Sequence, residues 1–300
     1  MKSYRLAIAV VLLVVVVQVR AQDYAFKVLV NKGKNELKTG ETWQQIKVGS
    51  ALGSHDELKV SENSYLGLVH VSGKPLELKQ SGKYKVMDLA AKVSGGTNVL
   101  NKYTDFILSA NTGSKNNLAA TGAVDRGVGN IHVHLPKPEL SVVYGNTVTI
   151  TWDDNKAMAP YLVRFNSMFG DELSTVEANE NSVVINLNER GFENEDNIIV
   201  TVFSKTDKSK VSDEYTLKKL SKADKERISS LLNEIAPQTA EPTALNKFFL
   251  AGFYEQNGLL IDATSHFLEA IKLAPDVPGY KEDYEAFLLR NGMKKPSPKK

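Results

Sequence analysis

Apolar and polar positions alternate in short stretches along residues 24–90, and each stretch stops at a glycine or a polar cluster. Phe26-Lys27-Val28-Leu29-Val30 reads as a strand, and Asn31-Lys32-Gly33-Lys34-Asn35 turns it. Trp43–Leu52, Glu57–Val60, Tyr65–Val71, Leu76–Lys79 and Tyr84–Val86 read as further strands. Ser72-Gly73-Lys74 and Ser81-Gly82-Lys83 each put Gly where a tight hairpin takes positive φ. Strands at a spacing of about ten residues predict an all-β sandwich or roll. The period then changes. Val99, Tyr103, Phe106 and Ile107 fall at helical spacing and predict one short amphipathic helix, followed by a polar loop over Asn111–Asn117. Residues 119–127 are small-residue text with two glycines, read as a tight, packed connection.

Pro136-Lys137-Pro138 marks a semi-rigid linker. Beyond it the alternation is clean: Leu140–Tyr144, Thr147–Trp152, Tyr161–Phe165, Ser182–Leu187, Ile198–Ser204 and Glu214–Leu217, with Val148, Ile150 and Trp152 on one face. Such a run predicts a small antiparallel sandwich. After Ser221 helical text begins. Ser221 is a helix cap with Asp224 as the acid of a capping box, and Ile228, Leu231, Leu232 and Ile235 lie at i, i+3, i+4, i+7. Pro237 is expected to end that helix, and Glu241-Pro242-Thr243 to open the next. The fold expected is therefore multidomain, mainly β with an α-helical C-terminal part.

Three resemblances sharpen this reading. Val48-Gly49-Ser50-Ala51-Leu52, Asp56-Glu57-Leu58-Lys59-Val60, Tyr65-Leu66-Gly67-Leu68-Val69, Leu76-Glu77-Leu78 and Gly82-Lys83-Tyr84-Lys85-Val86 resemble the FecR-type periplasmic β-domain over about 60 residues of hydrophobic and glycine rhythm. That family's inner-membrane helix and sigma-factor-binding segment have no counterpart here, so the resemblance implies the fold and the envelope context, not sensing. Thr149-Ile150-Thr151-Trp152, Tyr161–Phe165 and Ile198–Ser204 are similar to the second, third and sixth strands of a fibronectin type III or immunoglobulin-like module, with Ile198 where a corner Tyr often stands. Such modules are usually spacers or adhesive surfaces. Leu250–Pro275 resembles one tetratricopeptide repeat. Its small residue falls at Ala251, its aromatic at Tyr254, its turn at Gly258 and its packing residue at Ala263. The knob follows at Phe267, the second small residue at Ala270 and the terminating Pro at Pro275; Lys247 replaces the large aromatic common near the start. A single repeat cannot bury its own face, so it is expected to pack on Ala223–Ala236 and Tyr280–Leu289.

At the N-terminus, Lys2 and Arg5 precede an unbroken apolar run from Leu6 to Val17, followed by Gln18-Val19-Arg20-Ala21-Gln22. Twelve helical residues reach about 18 Å, short of the ~30 Å hydrocarbon core. With Val19 and Ala21 at the −3 and −1 positions, the segment reads as a secretory signal cleaved before Gln22 rather than an uncleaved anchor. The predicted modules are 1–21 signal peptide; 22–130 FecR-like β-domain with a short helix; 136–220 fibronectin type III/Ig-like sandwich; 222–293 TPR-like helical hairpins; and 294–300 a disordered basic tail.

Composition narrows the chemistry. The chain has 300 residues, 42% apolar and 24% charged, with 20 Gly and 10 Pro, which excludes a disordered, collagen-like or multi-span membrane protein. Zero cysteines exclude disulfides, thiolate zinc sites and a thiol nucleophile. The formal charge of +2 owes three of its 37 basic residues to the leader; the remaining 34 face 35 acids. So balanced a chain does not neutralise phosphates, and nucleic acid is not an expected partner.

No catalytic set converges. His132 and His134, two apart on a strand, would point to one side and could share a metal, but they lack further ligands nearby. His55 and His70 are lone, and His266 is read as lying on the exposed side of its helix. Asp153-Asp154, Glu193, Glu195 and Asp196 read as solvated loop acids, with calcium as the alternative. No serine sits in a Gly-x-Ser-x-Gly frame, and Gly95-Gly96-Thr97 is too short for a phosphate loop. No catalytic residue, cofactor or metal is assigned. The expectation is an exported, non-enzymatic cell-envelope protein of the periplasm or the outer membrane's periplasmic face, acting as a protein–protein interaction or scaffold module. Its partners would be other envelope proteins, with peripheral association with the outer membrane or cell wall. Phe248, Phe253, Tyr254 and Tyr280 are the partner-binding candidates, with core packing as the alternative reading of each. The alternative is a glycan- or peptidoglycan-binding protein stacking sugars on Trp43, Tyr65 and Tyr84. A hydrolase assembled from distant residues is the third reading.

Overall fold

The computed structural model describes residues 24–93, 100–117, 131–153 and 159–295. The expected leader, the 119–127 connection, Gly95-Gly96-Thr97, Asp154 and residues 296–300 lie outside them.

Residues 24–85 form two four-stranded antiparallel sheets. The first contains β1 (Tyr24–Lys32), β4 (Ala51–Gly53), β6 (Tyr65–His70) and β7 (Pro75–Leu78), in the order β4-β1-β6-β7. The second contains β2 (Glu36–Thr39), β3 (Thr42–Gln45), β5 (Glu57–Val60) and β8 (Gly82–Lys85), in the order β3-β2-β5-β8. Phe26, Val28, Leu52, Leu58, Val60, Leu66 and Leu68 close a core between them. Gly73, at φ 87°, turns the β6–β7 hairpin as expected. Ser81-Gly82 does not make a hairpin: β8 pairs with β5, so this segment carries the chain from one sheet to the other. Trp43–Leu52 is two strands, because Gly49, at φ 86°, breaks the run.

The helix α1 (Val86–Val93) follows directly, burying Val86, Leu89 and Val93 at i, i+3, i+7. Residues 101–117 are one helix, α2 (Asn101–Asn117), so the loop expected over Asn111–Asn117 is helical backbone. A helix already anchored by Tyr103 and Ile107 propagates at one hydrogen bond per residue, which outweighs weak local propensity.

The second β unit has a two-stranded sheet, β10 (Thr147–Thr151) with β13 (Ser182–Asn186), facing a five-stranded one. The latter runs β12-β11-β14-β15-β9, from β9 (Val142–Val143), β11 (Tyr161–Ser167), β12 (Glu172–Ala178), β14 (Asn197–Ser204) and β15 (Tyr215–Lys219). All its pairs are antiparallel except β15 with β9. Val148, Ile150, Val163, Phe165, Val200 and Val202 fill the space between the sheets, and Trp152 packs edge-on to Tyr161 at 5.2 Å.

Four helices complete the chain: α3 (Lys222–Thr239), α4 (Ala244–Gln256), α5 (Leu260–Leu273) and α6 (Pro278–Arg290). Ser221 caps α3, its Oγ accepting the Asp224 N–H at 3.2 Å. Pro237 lies inside α3, which runs one further half-turn to Thr239 rather than stopping there. Thr243 caps α4 by accepting the Asn246 N–H. Gly258, at φ 75°, makes the α4–α5 turn, and Ala251, Ala263 and Ala270 are fully buried where the two helices meet. Glu255 takes a two-pronged bond from Arg290, at 2.6 and 2.5 Å, which ties α4 to α6. Lys294 bonds the Leu288 carbonyl and Glu285, so the expected tail is docked at its first residue.

The helices are not a free C-terminal bundle. Leu29, Val30, Tyr65 and Val69, on the back of the first sheet, share one core with α2 and all four C-terminal helices. On the other side, Ile261 of α5 joins the core of the second β unit. Among the described residues the protein is thus a mixed, multidomain fold of four β-sheets and six α-helices, with the helices lying between the β units.

Candidate functional site

All four expected partner-binding aromatics are inside. Phe248, Phe253 and Tyr280 are 0–1% exposed and Tyr254 is 6% exposed. Phe248 stands edge-on to Phe267 and Tyr280, and the Tyr280 hydroxyl meets the Tyr65 hydroxyl at 2.6 Å. Phe253 packs on Tyr103, and Tyr254 meets His266 at 4.8 Å with the rings tilted by 41°. Their assignment as a binding surface is corrected to core. The physical reason is that the side of α4 left free by α5 is covered by the chain's own first sheet and by α2. Leu245 packs on Gly67 there, and Glu77 of β7 accepts the Leu245 N–H at 2.8 Å, occupying the α4 N-terminus. His266, read as exposed, is half-buried, and burial lowers its pKa.

The stacking platform expected of Trp43, Tyr65 and Tyr84 does not assemble either. Tyr65 is buried on the helices. In the β3-β2-β5-β8 sheet Trp43 lies opposite Lys38, while Tyr84 lies opposite Leu58, whose side chain is in the core. Successive residues alternate faces, so the two rings point away from each other.

His134 places Nδ1 2.9 Å from the Thr151 hydroxyl and Nε2 3.0 Å from Asp153, and Thr151 continues to the Tyr284 hydroxyl at 3.0 Å. Both imidazole nitrogens are therefore used within the second β unit, and Thr151 carries the contact on to α6. His132 lies 6.1 Å from His134, ring to ring, and burial lowers its pKa. Among the described residues no three His, Asp or Glu gather to hold a metal ion, and no helix is long and apolar enough to cross a membrane. Glu193 and Asp196 are exposed, and the Lys219 ammonium bonds the Phe192 and Glu193 carbonyls beside them.

The surface instead offers the β11–β12 hairpin. Phe169 at its tip is 93% exposed and Met168 beside it 57%. The turn that presents them is tightly bonded. Ser167 N–H donates to Asp171 O at 2.8 Å, and Gly170 N–H to Ser167 O at 3.1 Å. The Ser167 hydroxyl accepts the Phe169 and Asp171 N–H groups, and Asn166 donates to Gly170 O. Gly170 takes φ 91°, where a Cβ would be strained. Next to the tip, the outer face of the five-stranded sheet holds a groove of about 380 Å³ lined by Arg164, Met168, Ile199, Thr201, Phe203 and Glu214, among others. The Arg164 guanidinium sits 4.9 Å above the Phe203 ring, with Nε 3.6 Å from Glu172. The groove thus combines a cation with the apolar side chains of Met168, Ile199 and Phe203, beside carboxylates and hydroxyls.

The signal for this site was present in the sequence. Met168-Phe169 are two large apolar residues at a turn position, just before Gly170-Asp171, where turn chemistry favours polar residues.

No family model and no curated protein matches the chain. Among solved structures it is similar to the complex of Porphyromonas gingivalis RgpB pro- and mature domains and to the Arg-specific cysteine proteinase gingipain R (RgpB). Each is 21% identical over 30% of this chain, with a TM-score of 0.22. The chain spans 19% and 18% of the length of those two chains, so the likeness is local.

Proposed function

We propose that the protein is an exported, non-enzymatic cell-envelope protein that holds other envelope proteins through the β11–β12 hairpin and the sheet face beside it. In this reading residues 1–21 are a signal peptide removed before Gln22. The mature chain works in the periplasm or on the periplasmic face of the outer membrane, without nucleic acid or cofactor. Its β units are of FecR-like and fibronectin type III/Ig-like type, and its helices are TPR-like hairpins turned to an internal, cementing use.

The observation that carries the proposal is Phe169. A bonded turn keeps this phenyl ring in water on a molecule whose other ring clusters are packed inside. Burying one such side chain on a partner is worth about 1.5–3 kcal/mol, and a rigid turn loses little entropy when it docks.

The test is affinity purification of the tagged protein from crosslinked intact cells, wild type against Phe169→Ser. Recovery of protein partners that disappears with the variant is expected. Equal recovery from both, or recovery of no protein at all, would overturn the reading. Intact-mass measurement of the purified chain tests the leader separately: retention of Met1–Ala21 would sink its cleavage.

A further inference from the structure

We infer that His132 is a pH-sensitive latch: its neutral ring holds the segment after α6, Met293–Lys295, on the second β unit, and a charged ring loosens that segment.

The ring is closed in where a second proton would go. His132 lies beside the end of β10, its carbonyl accepting the Asp153 N–H at 2.9 Å while Val133 bridges to Trp152. The ring hydrogen-bonds the Met293 backbone. Its Nε2 is buried with no partner among the described residues, which leaves Nδ1 for that bond. A neutral imidazole carries one N–H, and the Met293 carbonyl takes it. A charged one carries two. The second would be a buried donor without an acceptor, a cost that is relieved when the Met293 segment moves away.

Every element around the ring bears on its charge. Beside it, the His134 ring is 6.1 Å away and keeps Nε2 on Asp153. From the segment after α6 come Lys295, which acts on the ring, and Lys294, which pairs with Glu285 of α6 at 2.7 Å. Tyr284 of α6 reaches Thr151, and Tyr215 of β15, with Asp213 near it, bonds the Val133 backbone; burial raises both hydroxyls, so they stay neutral. Burial is the largest influence on His132 and disfavours its charge, as do His134 and Lys295; Asp153 and the Met293 bond favour it and do not prevail. The ring is thereby held below its ordinary 6.5. The docked form takes up the proton less readily than the released one. Docking is therefore at full strength above 6.5 and weakens as pH falls below it.

The latch closes the end of α6. Met293 is fully buried, and its N–H and that of Lys294 both bond the Leu288 carbonyl, at 2.8 and 3.2 Å. The last seven residues carry Lys294, Lys295, Lys299 and Lys300, so loosening gives a cationic arm more freedom to reach an anionic partner.

Hydrogen exchange at the Met293 and Lys294 amides, expressed as protection over the intrinsic rate, tests the latch between about pH 7.5 and about pH 5. Protection in the wild type is expected to fall severalfold over that range. In His132→Asn it is expected to stay level, because the Asn amide stands near the place of Nδ1 and does not titrate. Proton NMR of the His132 ring supplies its own midpoint, expected below 6.5 and moved upward by Lys295→Gln. Protection that is level in the wild type, or that falls equally in His132→Asn, would overturn the proposal. So would a ring midpoint at or above 6.5, or one indifferent to Lys295→Gln. If His132→Asn leaves the segment loose at both ends of the range, the wild type decides alone: loss of protection that tracks the ring's midpoint supports the latch, and loss that tracks any other midpoint overturns it.

Discussion

Asp262 is 5% exposed in the first turn of α5, and it stays there because two backbone groups of another unit need it. Its Oδ2 accepts the Tyr144 N–H at 2.9 Å and its Oδ1 the Gly145 N–H at 2.7 Å, at the turn between β9 and β10. Burial raises the carboxyl to about 6, and the bonds from Tyr144 and Gly145 pull it only part of the way back. The unfolded chain titrates this group near 3.8, so the folded form holds the proton more tightly. Ionising Asp262 therefore costs stability: nothing below the unfolded value, progressively more between the two, and the full amount above the folded value. The full amount is about 3 kcal/mol as an order of magnitude. Asp262→Asn has the same shape and does not titrate. The wild type is expected to lose stability relative to that variant as pH rises from about 4 to 7, by up to that amount. Denaturant midpoints of both proteins across the range measure the difference. A difference that stays flat with pH would show that the carboxyl titrates as it does in water.

Glu77 does for an element what Asp262 does for a turn. From β7 it accepts the Leu245 N–H at 2.8 Å and the Tyr65 hydroxyl at 2.7 Å, and it pairs with Lys79 at 2.6 Å. Burial pushes its carboxyl up, and the bonds from Lys79, Leu245 and Tyr65 more than reverse this, leaving it below the usual range. A negative charge at the first turn of α4 is also where the helix dipole favours it. Glu77→Ala is expected to cost about 2–3 kcal/mol, since the Leu245 N–H loses its acceptor, while Glu77→Gln keeps an acceptor and costs about half as much. Chemical denaturation ranks them, and equal losses would mean that the acceptor does not matter. The strand and helix text around these residues was readable, and the bonds were not. In β6, Tyr65-Leu66-Gly67-Leu68-Val69 carries no polar alternation, which is the pattern of a strand buried on both faces. Leu66 and Leu68 face one core, and Tyr65 and Val69 the other. Which element covers the second face is not a local property: Glu77 and Leu245 lie 168 positions apart. β12 carries no clean apolar alternation, because Glu172, Ser174 and Glu177 are the polar residues of an edge strand. In residues 86–93 the helical spacing of Val86, Leu89 and Val93 starts on the last residue of the Tyr84–Val86 strand pattern, which masks it.

The same long-range contacts decide what kind of object the molecule is. Read from sequence, the modules run in series, with the helices last and free to bind. In the structure the helices are the cement. One core runs from Leu29 and Tyr65 through Tyr103 and Phe248 to Phe287, and Ile261 enters the neighbouring core. Ser265 accepts the Thr149 N–H at 3.0 Å, and Thr151 meets Tyr284, so α5 and α6 also close the open side of the two-stranded sheet. Tyr254 and Phe267 were legible as packing residues. What covers the free side of their helix pair was not, because the pattern looks the same whether that side meets a partner or the chain's own sheet. Two consequences can be measured. Calorimetry of the whole chain is expected to give one main transition, its van't Hoff and calorimetric enthalpies agreeing, because neither β unit keeps its full core without the helices. Truncation after Leu220 strips the C-terminal helices from the core that holds Leu29, Val30, Tyr65 and Val69, and apolar residues uncovered together in this way favour association. The truncated protein is expected to bind a hydrophobic dye and to associate at concentrations where the whole chain does not. A soluble fragment that melts cooperatively at the wild-type temperature would show instead that the helices only lean on the sheets, and the hairpin would then have to hold its partner on a body able to flex.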